Sequence, residues 1–229
     1  MRTDILRWGG IASVLLALLF SVALVLGFAM GVDIYADGET DELLTDIMGN
    51  EVAFLSWCLL SMVAQLILIP AVLGLFYTAK EDDRPYFALP ASFFGLAVVM
   101  AVLGYAMGPV LWDVASNYVD AEGTSKEALL NDGQNLQSIL LILGGLSTTP
   151  FALGMIAAGV LSLRSGFFPR WLAWPTILVG VVGAIPFIGF VAIVPGRIIW
   201  LLISGIIMLR KTGSERAVQV RAQPSGSMA

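Results

Sequence analysis

Histidine is absent from this sequence. That removes His-ligated haem, His-containing zinc sites and Ser-His-Asp chemistry together. Cysteine occurs once, at Cys58, so no disulfide closes within the chain and paired-cysteine metal sites are excluded. Cys58 lies inside an apolar run and reads as a small buried or lipid-facing hydrophobe. Charge is scarce: 13% of residues, against about 25% in soluble domains. The lysines and arginines mark the ends of apolar runs and form no patch for nucleic acid. No motif implies a cofactor, and no grouping of side chains reads as a catalytic or metal site.

Apolar length is what the sequence has in abundance. Hydrophobic residues make up 58% of it, and the mean hydropathy is +0.89. Both values place it in the membrane class. The reading is an all-α polytopic membrane protein with six spans, at about 8–32, 52–79, 87–112, 136–163, 171–188 and 190–209. Residues 1–210 then form one transmembrane domain, and 211–229 are expected as a disordered polar tail. The first run, Trp8 to Val32, has 25 residues. That exceeds a signal-peptide core of about 7–15 residues and predicts a retained helix. The last apolar stretch, Trp171 to Leu209, has 39 residues and one charge, Arg197. At about 1.5 Å per residue it is long enough for nearly two crossings of a core roughly 30 Å thick. Pro186 and Pro195-Gly196 bracket the reversal.

Inside the spans, a few residues break the apolar pattern. Gly27/Gly31 and Gly104/Gly108 are small-xxx-small pairs that allow close helix approach. Gln65 sits mid-span, five residues before Pro70, and a mid-span amide should face inward. The fourth span holds Gly144, Gly145, Ser147, Thr148, Thr149 and Pro150. Pro150 frees the carbonyl of Leu146, so a kink or an opening toward a cavity is expected there. Outside the spans, Thr40 caps a short helix with an apolar face of Leu43, Leu44, Ile47 and Met48. The acids around it do not fit the spacing of a calcium loop. A capping box at Thr124 and Glu127 predicts another short helix, over Ser125 to Leu130, ended by Asn131-Asp132-Gly133.

Charge assigns the sides. Arg2, Arg7, Lys80, Arg84, Arg164, Arg170, Arg210, Lys211, Arg216 and Arg221 fall on the face that carries both termini. The opposite face has only Lys126 and Arg197, against twelve acids from Asp33 to Glu51 and from Asp113 to Asp132. The positive-inside rule then puts both termini in the cytoplasm of an inner or plasma membrane.

The turn between the fourth and fifth spans reads Arg164-Ser165-Gly166-Phe167-Phe168-Pro169-Arg170-Trp171-Leu172, followed by Gly180 and Gly183. This segment resembles the uncharacterised bacterial integral membrane family DUF4386. There a helix ends in an arginine, a Ser-Gly pair follows, then two apolar residues, Pro-Arg-Trp-Leu and a glycine-containing helix. The resemblance implies about six helices. It implies no activity and carries over no catalytic residue.

These features predict a non-enzymatic membrane protein that binds a protein partner, a second copy of itself, membrane lipid or another apolar ligand. A small transporter or channel, built on the break at Pro150, is the alternative. A second alternative is a lipid-modifying enzyme using outer-face acids (Asp33, Glu51, Asp113, Asp132) with Arg197. The polar residues expected to matter for ligand or structure are Gln65, Asp113, Ser147, Thr148, Thr149 and Arg197. Arg197 is expected near the outer edge of the hydrocarbon, snorkelling to head groups or paired with Asp113 or Asp33. The side assignment predicts that, in a C58A background, a cysteine at position 42 reacts with an impermeant thiol reagent on intact cells. A cysteine at 216 should react only after permeabilisation, and the reverse pattern contradicts the assignment.

Overall fold

The computed structural model describes residues 2–31, 40–78, 84–166, 168–185 and 188–222. They form seven helices: α1 Arg2–Met30, α2 Thr40–Gly49, α3 Glu51–Thr78, α4 Arg84–Val119, α5 Gly123–Ser165, α6 Arg170–Gly183 and α7 Ile188–Ala222. Five of these, α1, α3, α4, α5 and α7, are long and apolar enough to cross a membrane. The protein is therefore an all-α, multi-pass membrane protein. α6 is apolar but has only 14 residues, about 21 Å of helix.

The long helices close into a ring. α1 packs between α3 and α7, α4 between α3 and α5, and α6 between α5 and α7. Glycine sets the closest approaches. A Cβ built on Gly9 of α1 would lie 2.3 Å from Gly74 Cα of α3, and one on Gly10 would lie 2.8 Å from Leu209 Cγ of α7. Gly104 of α4 meets the Gly144 backbone of α5, while Gly108 receives Cys58 of α3. The Gly104/Gly108 pair thus serves two neighbours. The Gly27/Gly31 pair does not bring helices together. Gly27 faces the Trp57 indole, and Gly31, at φ 64°, ends α1 in the left-handed region open to glycine.

Two apolar cores result. The first centres on Phe87, Phe94, Phe151, Phe168 and Trp200. The second contains Phe54, Trp57, Cys58, Leu111 and Tyr118, with Leu43, Leu44 and Ile47 of α2 docked on it. The Tyr118 hydroxyl donates to Asp41 and helps hold α2 there. Large apolar side chains such as Val25, Leu66, Leu103, Leu178 and Ile199 stay exposed around the ring. Lipid is the solvent that suits them.

The expected break after the short helix at 125–130 does not occur, because α5 runs through Asn131-Asp132-Gly133 without interruption. Tertiary packing overrides the local stop signal. Gly133 is buried, and a Cβ there would sit 3.0 Å from Leu44 Cδ1 of α2. The capping box is not used either: the N-cap is Glu122, with no side-chain bond. α4 continues two turns past Trp112 to Val119, where it supports α2. Pro195 lies inside α7 rather than at its start. α7 also runs on to Ala222, past the expected boundary at 210, since Arg, Lys, Glu and Ala favour helix once a long helix has formed. Pro186 and Asp33 lie outside the described residues.

The Arg164–Arg170 segment is a turn between antiparallel α5 and α6. Gly166 closes α5 at φ 68°, its N–H bonded to Ser162 O at 2.9 Å. Arg164 lies over the Tyr86 ring at 5.8 Å, which ties the turn to α4. Trp171 and Trp174 are exposed just beyond it, as expected for an interfacial belt. The packing predicts that Gly9→Leu costs about 1–3 kcal/mol or more, because the clash is with backbone. Gly144→Ala, where nothing lies within 4 Å of the new Cβ, should be neutral or mildly stabilising. Thermal unfolding in detergent separates the two.

A buried arginine site between helices one and five

α1 and α5 stand on different sides of the ring and share little contact. A cavity of about 380 Å³ lies between them, with α3, α4 and α7 completing its walls. Its lining draws on both apolar cores, through Phe151 and Ile193 of one and Ala23, Met30 and Trp57 of the other. Among them sit Ser61, Gln65, Tyr105, Ser147, Thr148 and Arg197. This polar group of six comes from four helices, α3, α4, α5 and α7.

Arg197 organises it. Its Nη2 donates to Gln65 Oε1 at 2.7 Å. Its guanidinium carbon lies 3.8 Å from the Phe20 ring centroid and 4.3 Å from that of Phe151. Two aromatic faces therefore attend the cation, each favouring it through the ring quadrupole. The guanidinium has five N–H donors, yet Gln65 is its only hydrogen-bond partner among the described residues, and Nε is buried without one. Arg197 nonetheless keeps some accessible surface, and it lines the cavity.

Depth explains why these residues meet. Phe20, Phe151 and Arg197 each lie thirteen residues from a basic residue on the terminal face: Arg7, Arg164 and Arg210. Gln65 lies fifteen from Lys80. Thirteen residues of helix span roughly 20 Å, so all four reach one level inside a core about 30 Å thick. Arg197 faces the bundle rather than the surface around it. It pairs with a neutral amide and two rings, not with Asp113. The carboxylate idea followed charge alone. A buried carboxylate would carry a large desolvation cost of its own, whereas an amide and two ring faces carry a much smaller one.

The remaining residues divide. Ser147 and Thr148 line the cavity, with their hydroxyls donating to the carbonyls of Gly144 and Gly145 at 2.6 Å each. These bonds occupy the turn before Pro150, and α5 continues through it as helix. Thr149 is exposed on the opposite side of α5, and Asp113 is exposed near the end of α4. Neither touches the site. Trp57, Ser61, Tyr105, Phe20 and Phe151 were not distinguishable by residue type, since aromatics and serines are ordinary in spans. The matched depth count was the available signal, at least for the two phenylalanines. Among the described residues no cluster of carboxylates or cysteines could hold a metal ion.

The pairing predicts a sign as well as a size. Gln65→Leu leaves a buried guanidinium without an acceptor and should cost about 1.5–3 kcal/mol. The double variant Gln65→Leu with Arg197→Met should be more stable than Gln65→Leu alone, because both partners leave together. Simple additivity in the unfolding free energies would contradict the pairing.

No curated protein and no solved structure matches the chain. A family model does match, described as a domain of unknown function, DUF4386, over residues 11–211. The match takes in every residue of the cavity from Phe20 to Arg197. The chain belongs to the DUF4386 family of uncharacterised function.

Proposed function

We propose that this protein crosses the membrane six times, with both termini cytoplasmic, and holds an apolar or lipid-like ligand in the cavity between α1 and α5. The topology rests on the charge bias and on α6, counted as a short crossing between the Arg164–Arg170 turn and α7. The ligand reading rests on one observation. A half-open cavity of about 380 Å³, walled mainly by Phe20, Leu24, Phe28, Met30, Trp57 and Phe151, lies between helices that glycines bring close elsewhere, as at Gly9/Gly74 and Gly10/Gly205. Its size falls within the range of about 300–1,000 Å³ found for small-molecule sites, and its mix of apolar wall and few polar groups is typical of them.

Other readings draw less support. A transporter built on a broken helix finds α5 continuous through Pro150. An enzyme using outer acids with Arg197 finds Asp113 and Asp132 exposed, and Arg197 bonded to Gln65 instead.

Filling the cavity tests the proposal. Gly144 lines it and has room for a side chain. Gly144→Leu should leave the fold intact and abolish or sharply reduce retention of co-purifying lipid, read by native mass spectrometry of protein released from mild detergent. Equal lipid retention by the wild type and a folded Gly144→Leu variant would contradict it.

A further inference from the structure

We infer that the ligand is an amphiphile with a single chain and a carboxylate, held acid end inward with its carboxylate on Arg197. This rests on the proposal that the cavity takes an apolar ligand, and it adds the chemical class. Arg197 lies within a helix long and apolar enough to cross a membrane, and an ionisable residue in such a segment has to be compensated and marks a functional site. Among the described residues the compensation is incomplete. Gln65 is neutral, the two rings are neutral, and no described carboxylate bonds to Arg197. A net positive charge therefore faces the cavity from its wall.

Geometry narrows the anion. Phe20 and Phe151 lie close to the guanidinium carbon, and Gln65 takes one of its donors. The surface left to a ligand is a limited part of the guanidinium rather than the whole cation. A flat carboxylate matches the planar donor fork of arginine, which gives shorter and stronger bonds than neutral pairs do. The hydroxyls of Ser147 and Thr148 are already committed to backbone carbonyls, so they add no donors for a larger, many-oxygen head group.

Shape narrows the rest. From the level of Phe20 the lining continues along α1 through Ala23, Leu24, Gly27, Phe28 and Met30 to the end of that helix. That track is apolar and suits a hydrocarbon tail. At about 380 Å³ the cavity lies near the small end of ligand sites, which favours one chain over two. The ligand class is thus a long-chain carboxylic acid, with its charge deep and its tail toward the side where α1 ends.

The test uses the full-length protein, delipidated and returned to nanodiscs of zwitterionic phosphatidylcholine. Binding of hexadecanoate, hexadecanol, methyl hexadecanoate and hexadecyl phosphate is measured by competition against radiolabelled hexadecanoate. The wild type should bind hexadecanoate at least about tenfold more tightly than the alcohol or the ester, the ratio expected for a charge-assisted bond. That ratio should collapse toward one in Arg197→Gln, whose amide can still meet Gln65, and shrink only partly in Arg197→Lys. Acid and alcohol binding equally to the wild type, or an acid preference that survives in folded Arg197→Gln, would overturn the inference while leaving the apolar site standing. Phosphate bound more tightly than carboxylate would overturn the choice of anion. No binding of any of the four would overturn the inference together with the proposal beneath it.

Discussion

A guanidinium inside a bundle of membrane-spanning helices is the constraint on which the described structure turns. Left to lipid, such a charge is expensive, and near a helix end it would snorkel to the surface. Arg197 does neither. It points into the ring, where Gln65 supplies an acceptor and Phe20 and Phe151 supply aromatic faces. Those partners come from α3, α1 and α5, so one cation on α7 fixes the mutual depth of four helices. Sliding any of them by a turn, about 5.4 Å, would strip it of a partner.

The rest of the bundle is built to allow that convergence. The Gly9/Gly74 and Gly10/Gly205 contacts draw α1 onto α3 and α7 at the end nearer the terminal face. Gly104 lets α4 lie close against the α5 backbone at Gly144. With those seams closed, the space left between α1 and α5 is a half-open cavity of about 380 Å³. Pro150 would threaten the wall of that cavity by freeing a carbonyl. α5 nonetheless runs through it as helix, and the serine and threonine just before it bond the carbonyls of Gly144 and Gly145. The same two hydroxyls thereby become part of the cavity lining, so shape and chemistry here share one origin.

Much of this architecture could be read from residues alone, and the failures have physical causes. The amphipathic spacing of Leu43, Leu44 and Ile47 located α2, and the structure buries those three side chains. Hydropathy located the five long spans because lipid leaves little freedom in how a backbone crosses it. The stop expected at Asn131-Asp132-Gly133 failed because Leu44, 89 residues away, needs the space that Gly133 leaves. Local propensity carries no information about such a partner. At the site, Gln65 and Arg197 stood out as polar residues in apolar runs, but their pairing did not. A search by charge leads from arginine to carboxylates and so to Asp113. The actual partners, an amide and two phenylalanines, are chosen by depth and by the low cost of burying neutral groups. Thr149 shows the opposite error: it shares a polar run with Ser147 and Thr148, yet the helical turn points it away.

The position of Arg197 between two rings is open to direct measurement. Proton–nitrogen NMR of arginine-labelled protein in nanodiscs can resolve guanidinium N–H signals, with the signal of Arg197 identified by its loss in Arg197→Lys. The account predicts an N–H resonance moved upfield by the currents of the Phe20 and Phe151 rings and protected from exchange with water, which moves back downfield in Phe151→Leu. A resonance at the ordinary position of surface arginines, exchanging freely and indifferent to Phe151→Leu, would place Arg197 among the head groups and contradict the account.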